Sequence, residues 1–401
     1  MSKNLIAGID IGSHRTRVAI ARARENGAGI HIVGTGSAES RGVRNGYIAN
    51  LAEATRSVKE ALERAEAAAG GSARRALVSL GGISLESVAS QGSVMISRID
   101  GKVTEADIER AIAIAETNIN LSNRKIIHSF PVKFRLDNKD VLGRPQGMQG
   151  AKLEIKMLFV TSLSQHLDAM IAAVENAGLD VEDVVAAPLA ASIVTLSKAQ
   201  RTAGCVLANI GAETVSVAVF EDEQLVSLEV FPIGGTHITN DIALGLKIPL
   251  EEAEALKTGA VRTASVEFPE RRLAEIVEAR LRDIFDLIQV HLKKIGRNEL
   301  LPAGIVLTGG GLGIASIEDI ARSSLSLPAR IAVLQNVTLP SRKNTAEEER
   351  AHSLDSAWAV VAGLCLLGSG GYYSSDFFEY NHTKVRKQIS GVMEWLKQFM
   401  P

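Results

Sequence analysis

Aromatic side chains make up only 4% of the 401 residues, with 2 Trp and 4 Tyr. An aromatic-rich β-sandwich is therefore excluded, and the core must be built from Ala, Val, Ile and Leu, which suits helices packed on sheets. Cysteine is nearly missing. Cys205 and Cys365 sit in apolar stretches without CxxC spacing or neighbouring His, so the sequence predicts buried free thiols rather than a disulfide or a metal site, and with them a reducing compartment. A net charge of one sign is also lacking, since 44 basic and 46 acidic residues leave −2. A dedicated nucleic-acid binder is disfavoured. No apolar run reaches the ~20 residues of a membrane-spanning helix, and the N-terminus has no signal-peptide core, so secretion is not expected.

What is present is an ordinary globular mix, 46% hydrophobic and 22% charged, on a chain long enough for two or three domains. The pattern predicts a strand at 5–11, a Gly turn and a second strand at 16–21, then a helix from Leu51 closed by Gly70-Gly71 and a strand at 76–80. From about Leu85 to Ser164 the segments are β-rich around one helix opened by the box-like TEAD at Thr104, an α+β insertion. Further on, helices (164–177, the apolar PLAASIVTL, 238–246, 250–260, 269–295, 317–323 and 356–367) alternate with strands at 181–185, two around the Gly turn of LANIGAETVSVAVF, and others at 225–231, in GIVLTGGG and at 330–334. Strands separated by helices mean α/β architecture.

The chain repeats itself. AGIDIGSHRTRVAI aligns with LANIGAETVSVAVF, placing Gly12 over Gly211. Two such turns, with glycines that let the backbone approach and with exposed N–H groups, can hold the phosphates of a nucleotide between them. The candidate phosphate residues are Gly12, Ser13, His14, Arg15, Gly211 and Ala212. Asp10, at a strand end, could orient a hydrated Mg²⁺. A third turn, Gly309-Gly310-Gly311, lies between a strand and a helix, where a nucleoside would sit. A dinucleotide fold is excluded because a strand, not a helix, follows the first turn. His128 and His237 have no ligand-spaced partners, so structural roles are expected of them.

The order of these turns resembles the actin, Hsp70 and sugar-kinase ATPase superfamily. Within it, FPIGGTHITNDIALGLKIPLEEAEALK (231–257), RKIIHSFPVKFRLDN, MQGAKLEIKMLFVTS, ENAGLDVEDVVAAPLAAS and VLTGGGLGIASI resemble the bacterial FtsA cell-division family along essentially the whole chain. The resemblance implies an α/β, actin-like duplicated ATPase fold with an inserted SHS2-type subdomain and a C-terminal amphipathic helix. It implies subdomain 1A at 1–84 and 165–203 with 351–368 returning to it, 1C at 85–164, 2A at 204–235 and 297–350, 2B at 236–296, a linker at 369–383 and the helix at 384–401. Glu254 and Lys257, three apart on a helix, match the superfamily's ribose and adenine contacts. ATP and Mg²⁺ are the implied cofactors. The implied partners are FtsZ, whose C-terminal peptide would dock on 2B, further copies of the chain, later division proteins and an anionic membrane, at the cytoplasmic face of the septum.

The departures bear on mechanism. The second turn reads NIGAETVS (209–216) where the family has a sequence close to DIGGGTTD, and Ala187 stands where a Glu commonly precedes Pro. Of the usual acidic groups only Asp10 remains, and Glu213 replaces a Gly where a negative side chain would repel phosphate. Nucleotide binding with slow or lost hydrolysis is expected. A small-molecule kinase of the superfamily would need an Asp in that turn, and an Hsp70-like chaperone would need a following β-rich domain. The pilus-assembly scaffold related to FtsA would lack the basic tail.

That tail is KVRKQISGVMEWLKQFMP. Val385, Ile389, Val392, Met393, Leu396, Phe399 and Met400 form one helical stripe, Lys384, Arg386, Lys387 and Lys397 stand against a single Glu394, and Trp395 suits the headgroup level. This is the pattern of a helix lying in an anionic membrane surface, binding reversibly and strengthened by avidity when many copies assemble.

Overall fold

The computed structural model describes residues 5–24, 29–260, 270–314, 316–338 and 355–369. The tail 384–401, with every membrane residue named above, lies outside the described residues, as do the polar loop 341–353 and all of the linker 369–383 but Ser369.

The chain opens as a meander of β1 (Ile6–Ile11), β2 (Arg15–Ala23) and β3 (Ile30–Glu39). β3 carries Gly34, Gly36 and Ser37 where a strand reading expects branched side chains, and the apolar pattern alone does not signal it. Packing explains those residues. A Cβ on Gly34 would lie 2.2 Å from Ala65 O and one on Gly36 2.0 Å from Ala61 O, so helix α1 (Leu51–Ala69) rests directly on the strand. Asn50 caps α1 by accepting from Glu53 N–H, and Gly70, at φ 64°, ends it. Between β3 and α1 a small hairpin forms from β4 (Val43–Arg44) and β5 (Tyr47–Ile48).

β6 (Arg75–Leu80) then lies parallel to β1. The chain next builds a separate four-stranded sheet from β7 (Glu86–Met95), β8 (Arg124–Leu136), β9 (Lys139–Val141) and β10 (Lys152–Leu163), ordered β7-β10-β8-β9. Helix α2 (Glu105–Thr117) covers it. Thr104 and Asp107 form a full capping box, and Ile108, Ala111, Ile112 and Ala115 pack with Leu153, Ile155, Met157 and Phe159 into a core of their own.

After this insertion come α3 (Ser164–Glu175) and β11 (Asp180–Ala186), which pairs with β6. Helices α4 (Ala187–Thr195) and α5 (Lys198–Ala203) lead to a second meander, β12 (Cys205–Ile210), β13 (Val215–Glu221) and β14 (Gln224–Phe231). Helices α6 (Gly235–Leu246), α7 (Leu250–Lys257) and α8 (Glu270–Lys294) precede β15 (Ile305–Thr308), α9 (Ile317–Leu325) and β16 (Ala329–Ile331). β17 (Val337–Thr338) returns to the far side of β3. A 3-10 turn at Ser356–Trp358 opens α10 (Ala359–Gly368).

The first sheet runs β11-β6-β1-β2-β3-β17 and the third runs β14-β13-β12-β15-β16. Apart from β17, which lies parallel to β3 at the border of the first sheet, both, read from opposite ends, have three antiparallel strands followed by two parallel ones. The registers coincide as well, Ile11 facing Thr16 as Ile210 faces Val215, and Ile9 facing Val18 as Ala208 faces Val217. The repeat seen in the sequence is thus a repeat of whole sheets. Between them lie α4 and α10, buried along their lengths, and one continuous core joins Ala7, Ile9 and Leu77 of the first sheet to Leu207, Phe220 and Leu228 of the third. Both cysteines are buried in it.

Candidate functional site

Each meander turns through the same geometry. Gly12 N–H donates to Arg15 O at 3.3 Å and Gly211 N–H donates to Thr214 O at 2.9 Å, and a Cβ on either glycine would meet that carbonyl at 3.0 Å. The N–H groups of Ser13, His14, Ala212 and Glu213 have no acceptor among the described residues. Two pairs of such donors stand at the ends of duplicated strands, an arrangement of the kind that can accept an anion.

The second turn is braced from behind. Gly235 N–H donates to Gly211 O at 2.9 Å and Thr236 N–H to Ala212 O at 2.8 Å, while a Cβ on Gly234 would lie 2.6 Å from Ala212 O. In the sequence Gly234-Gly235 is legible only as a break before a helix. His237 completes this corner by accepting from Gly234 N–H through Nδ1. The glycine-rich third turn packs on the same place. Gly311 N–H donates to Ile210 O at 2.9 Å, and Gly309, at φ 106°, leaves no room for a side chain, which would come within 2.4 Å of that carbonyl.

Asp10 accepts from the Ser79 hydroxyl at 2.6 Å and faces Arg17, its register partner on β2. Burial pushes the Asp10 carboxyl above the usual carboxylate range, against the pull of Ser79 and Arg17. Arg15 is exposed at the turn, whereas Arg17 goes inward. Its guanidinium lies 5.8 Å from the Trp358 ring centre, and a Cβ on Gly310 would be 3.4 Å from its Nη2. Arg17 therefore reaches from the first sheet to the third turn, a role that the alternation of β2 does not reveal.

Behind the second turn, Lys257 Nζ donates to Glu254 at 2.6 Å, to Thr239 Oγ1 at 2.8 Å and to Gly235 O at 3.2 Å. The Thr239 hydroxyl donates to the same Glu254 carboxylate. Burial opposes the charge on Glu254, but the bonds from Lys257 and Thr239 outweigh it and hold the carboxyl below its ordinary value, with His14 adding its field from the first turn. The pair expected from helical spacing is formed, with Lys257 only 9% exposed and fixed against the bracing glycines.

Glu213 is engaged outside its own turn. Its carboxylate accepts from Asn45 N–H on the β4–β5 hairpin, crossing from one half of the molecule to the other. Ala187 opens α4 and offers only a methyl, which would lie 3.9 Å from a Cβ added on Gly81. Among the described residues no group of three or more His, Cys, Asp or Glu side chains converges. A divalent cation here would thus have to be shared with bound phosphates, as Mg²⁺ commonly is, and Asp10 has one carboxylate oxygen free of the Ser79 bond. His128, by contrast, is structural, its Nε2 accepting from Ala186 N–H at 3.0 Å.

Family models and curated relatives agree on this architecture. Residues 206–356 match the model of "Cell division protein FtsA", and residues 82–161 that of the "SHS2 domain inserted in FTSA". The FtsA of Pseudomonas aeruginosa is 30% identical over 94% of both chains, and that of Borreliella burgdorferi 31% identical over 91% of both. The chain belongs to the FtsA family. Escherichia coli FtsA, at 27% identity, covers 99% of the chain and 96% of its own length. Among solved structures, the PilM–PilN type IV pilus biogenesis complex superposes with a TM-score of 0.67 over 92% of this chain and 98% of that one, at 17% identity. The ethanolamine utilization protein EutJ of Carboxydothermus hydrogenoformans gives 0.53 over 91% and 90%, at 15% identity. These likenesses are of fold, and the fold is the actin-like one with an inserted SHS2 domain. Cell division is the role of the FtsA family, and the likeness to the pilus protein is structural.

Proposed function

We propose that this FtsA-family chain is a nucleotide-binding adaptor that anchors FtsZ polymers to the membrane at the division septum and recruits later division proteins. The observation that carries the nucleotide part is the pair of turns of matching register, whose N–H groups have no acceptor among the described residues, with Lys257 and Glu254 fixed against the glycines that brace the second turn. In this reading Gly12, Ser13, His14, Arg15, Gly211 and Ala212 hold the phosphates of ATP, Glu254 and Lys257 meet the ribose and base, and the backbone of Gly309, Gly310 and Gly311 meets the nucleoside. Asp10 would hold a hydrated Mg²⁺, which supplies counter-charge to the phosphates when bound.

Hydrolysis needs a group to orient water. Glu213 is committed to Asn45, and Ala187 offers none, so turnover is slow or absent. The chain then works by occupancy rather than by turnover.

The region 236–296 supports the FtsZ reading with apolar side chains left in solvent, Leu244 at 78% and Leu250 at 53% exposure. Membrane attachment rests on the basic amphipathic sequence of 384–401. Among the described residues no helix is long and apolar enough to cross a membrane. Self-assembly would add avidity to a single reversible helix.

The test is co-sedimentation with anionic liposomes, using the full chain and one ended before Lys384, each with and without FtsZ. The full chain should bring FtsZ down with the lipid and the shortened one should not. Equal recruitment by both would refute the tether.

A further inference from the structure

The turn of Asn45 and Gly46, between β4 and β5, touches four separate parts of the molecule. Asn45 N–H donates to the Glu213 carboxylate of the second phosphate turn, and Gly46 N–H donates to Ser13 Oγ of the first at 3.1 Å. On its other side, Ile83 N–H donates to Asn45 O at 3.4 Å, and His166 Nε2 donates to Gly46 O at 2.7 Å. Both turn residues are left-handed, at φ 48° and 78°, and the packing behind them is tight. A Cβ on Gly46 would lie 2.3 Å from Gly82 Cα.

His166 carries the contact further. With Nε2 donating to a carbonyl, the neutral ring leaves Nδ1 as an acceptor, and the Ser84 hydroxyl donates to it at 2.7 Å. Ser84 Oγ in turn accepts from the Ser162 hydroxyl at 2.8 Å. Burial lowers the His166 pKa, which keeps the ring neutral, and Tyr47 stacks on it at 4.5 Å. Ser84 and Ser162 mark the two crossings of the chain into and out of the inserted domain, whose family match spans 82–161. Arg124 fastens the same root, donating to Ser84 O at 2.6 Å and to Thr161 Oγ1 at 3.0 Å and pairing with Glu86 at 2.9 Å.

We propose that the Asn45-Gly46 turn relays occupancy of the two phosphate turns to the root of the inserted domain. The proposal rests on the nucleotide reading above and names its regulatory output. Ser13 Oγ accepts from Gly46 and still has its own hydrogen to give, and a hydroxyl that donates to a phosphate becomes a better acceptor. A phosphate on the Ala212 and Glu213 N–H groups repels the Glu213 carboxylate toward Asn45. Both effects tighten the turn. Its two carbonyls then hold Ile83 and His166 more firmly, and through His166 the Ser84–Ser162 pair. Coupling of this kind is reciprocal, so a partner that orders the inserted domain would raise nucleotide affinity by the same factor.

The test is amide hydrogen exchange on the full chain with and without a non-hydrolysable ATP analogue, at concentrations shown by calorimetry to saturate each protein. In the wild type, exchange at 82–88 and 160–166 should slow by about fivefold on saturation. His166→Phe keeps the stack on Tyr47 but loses both ring hydrogen bonds, and Glu213→Ala removes the bond to Asn45. Each should lose the slowing. Wild-type segments that do not respond, or variants that respond as the wild type does, would overturn the relay while leaving nucleotide binding intact. If calorimetry shows no binding by the wild type, the nucleotide reading itself falls and takes the relay with it. Should His166→Phe fail to fold, Glu213→Ala, a change at a half-exposed turn residue, decides the matter.

Discussion

Gly363→Ala tests the packing between the halves of the molecule. Gly363 lies in α10 where that helix crosses α4, and an added Cβ would stand 1.8 Å from Ala190 O and 2.5 Å from Ala190 C. Such contacts in folded proteins essentially never fall under 3.0 Å. The obstacle is backbone, so no side chain can rotate away, and the two helices must part by about 1 Å, an overpacking that costs ~1–3 kcal/mol or more. Alanine returns ~1 kcal/mol through its better helix propensity. The net expectation is a loss of about 1–2 kcal/mol, taking the upper part of the overpacking range. Urea denaturation followed by circular dichroism measures it, with Gly313→Ala as the control because no atom lies within 4 Å of a Cβ there. The control should stay within ~0.5 kcal/mol of the wild type. A Gly363→Ala protein as stable as the wild type would show that α4 and α10 are not in close contact.

Two further expectations concern titration. Burial, aided by Lys294, lowers the His291 pKa to about 4, while the unfolded ring takes its proton near ~6.5. The unfolded state binds more protons between those values, so stability should fall as pH drops through that window. His291→Gln should flatten this dependence in denaturant midpoints at pH 7, 5.5 and 4.5, and parallel curves for the two proteins would refute it. Burial pushes both Cys205 and Cys365 up to about 12. Native protein at pH 8 should therefore resist thiol reagents that label the unfolded chain completely, and their protonated thiols should lose stabilising effect as pH climbs from 9 toward 12.

Much of this architecture was legible because it depends on short-range chemistry. The strand–Gly–strand repeat, the TEAD cap, the helix stop at Gly70 and the Glu254–Lys257 spacing are each decided by a few neighbouring residues. What stayed hidden depends on residues brought together from far apart. β3 is made of small residues because α1 lies on it, which no local pattern states. Arg17 looks like an ordinary polar position on a strand until Gly310 and Trp358 arrive beside it. Glu213 reads as a charge that would repel phosphate, yet in the fold its carboxylate leaves the turn for a backbone donor on the other half. Gly234 and Gly235 read as a break, and their service as a brace for the second turn needs the return of the chain after β14.

The inserted domain also bears on one open sheet edge that a second chain could use. β14 ends the third sheet, and an edge strand offers its free N–H and C=O groups to any strand that comes alongside. At its middle, Ser87 of β7 takes both groups of one residue, the hydroxyl donating to Leu228 O and accepting from Leu228 N–H, each at 2.8 Å. A strand of another molecule would have to displace that hydroxyl before it could add to the sheet. Another chain is thereby steered away from strand addition at this border, and the inserted domain acts as a guard against the aggregation that bare borders invite.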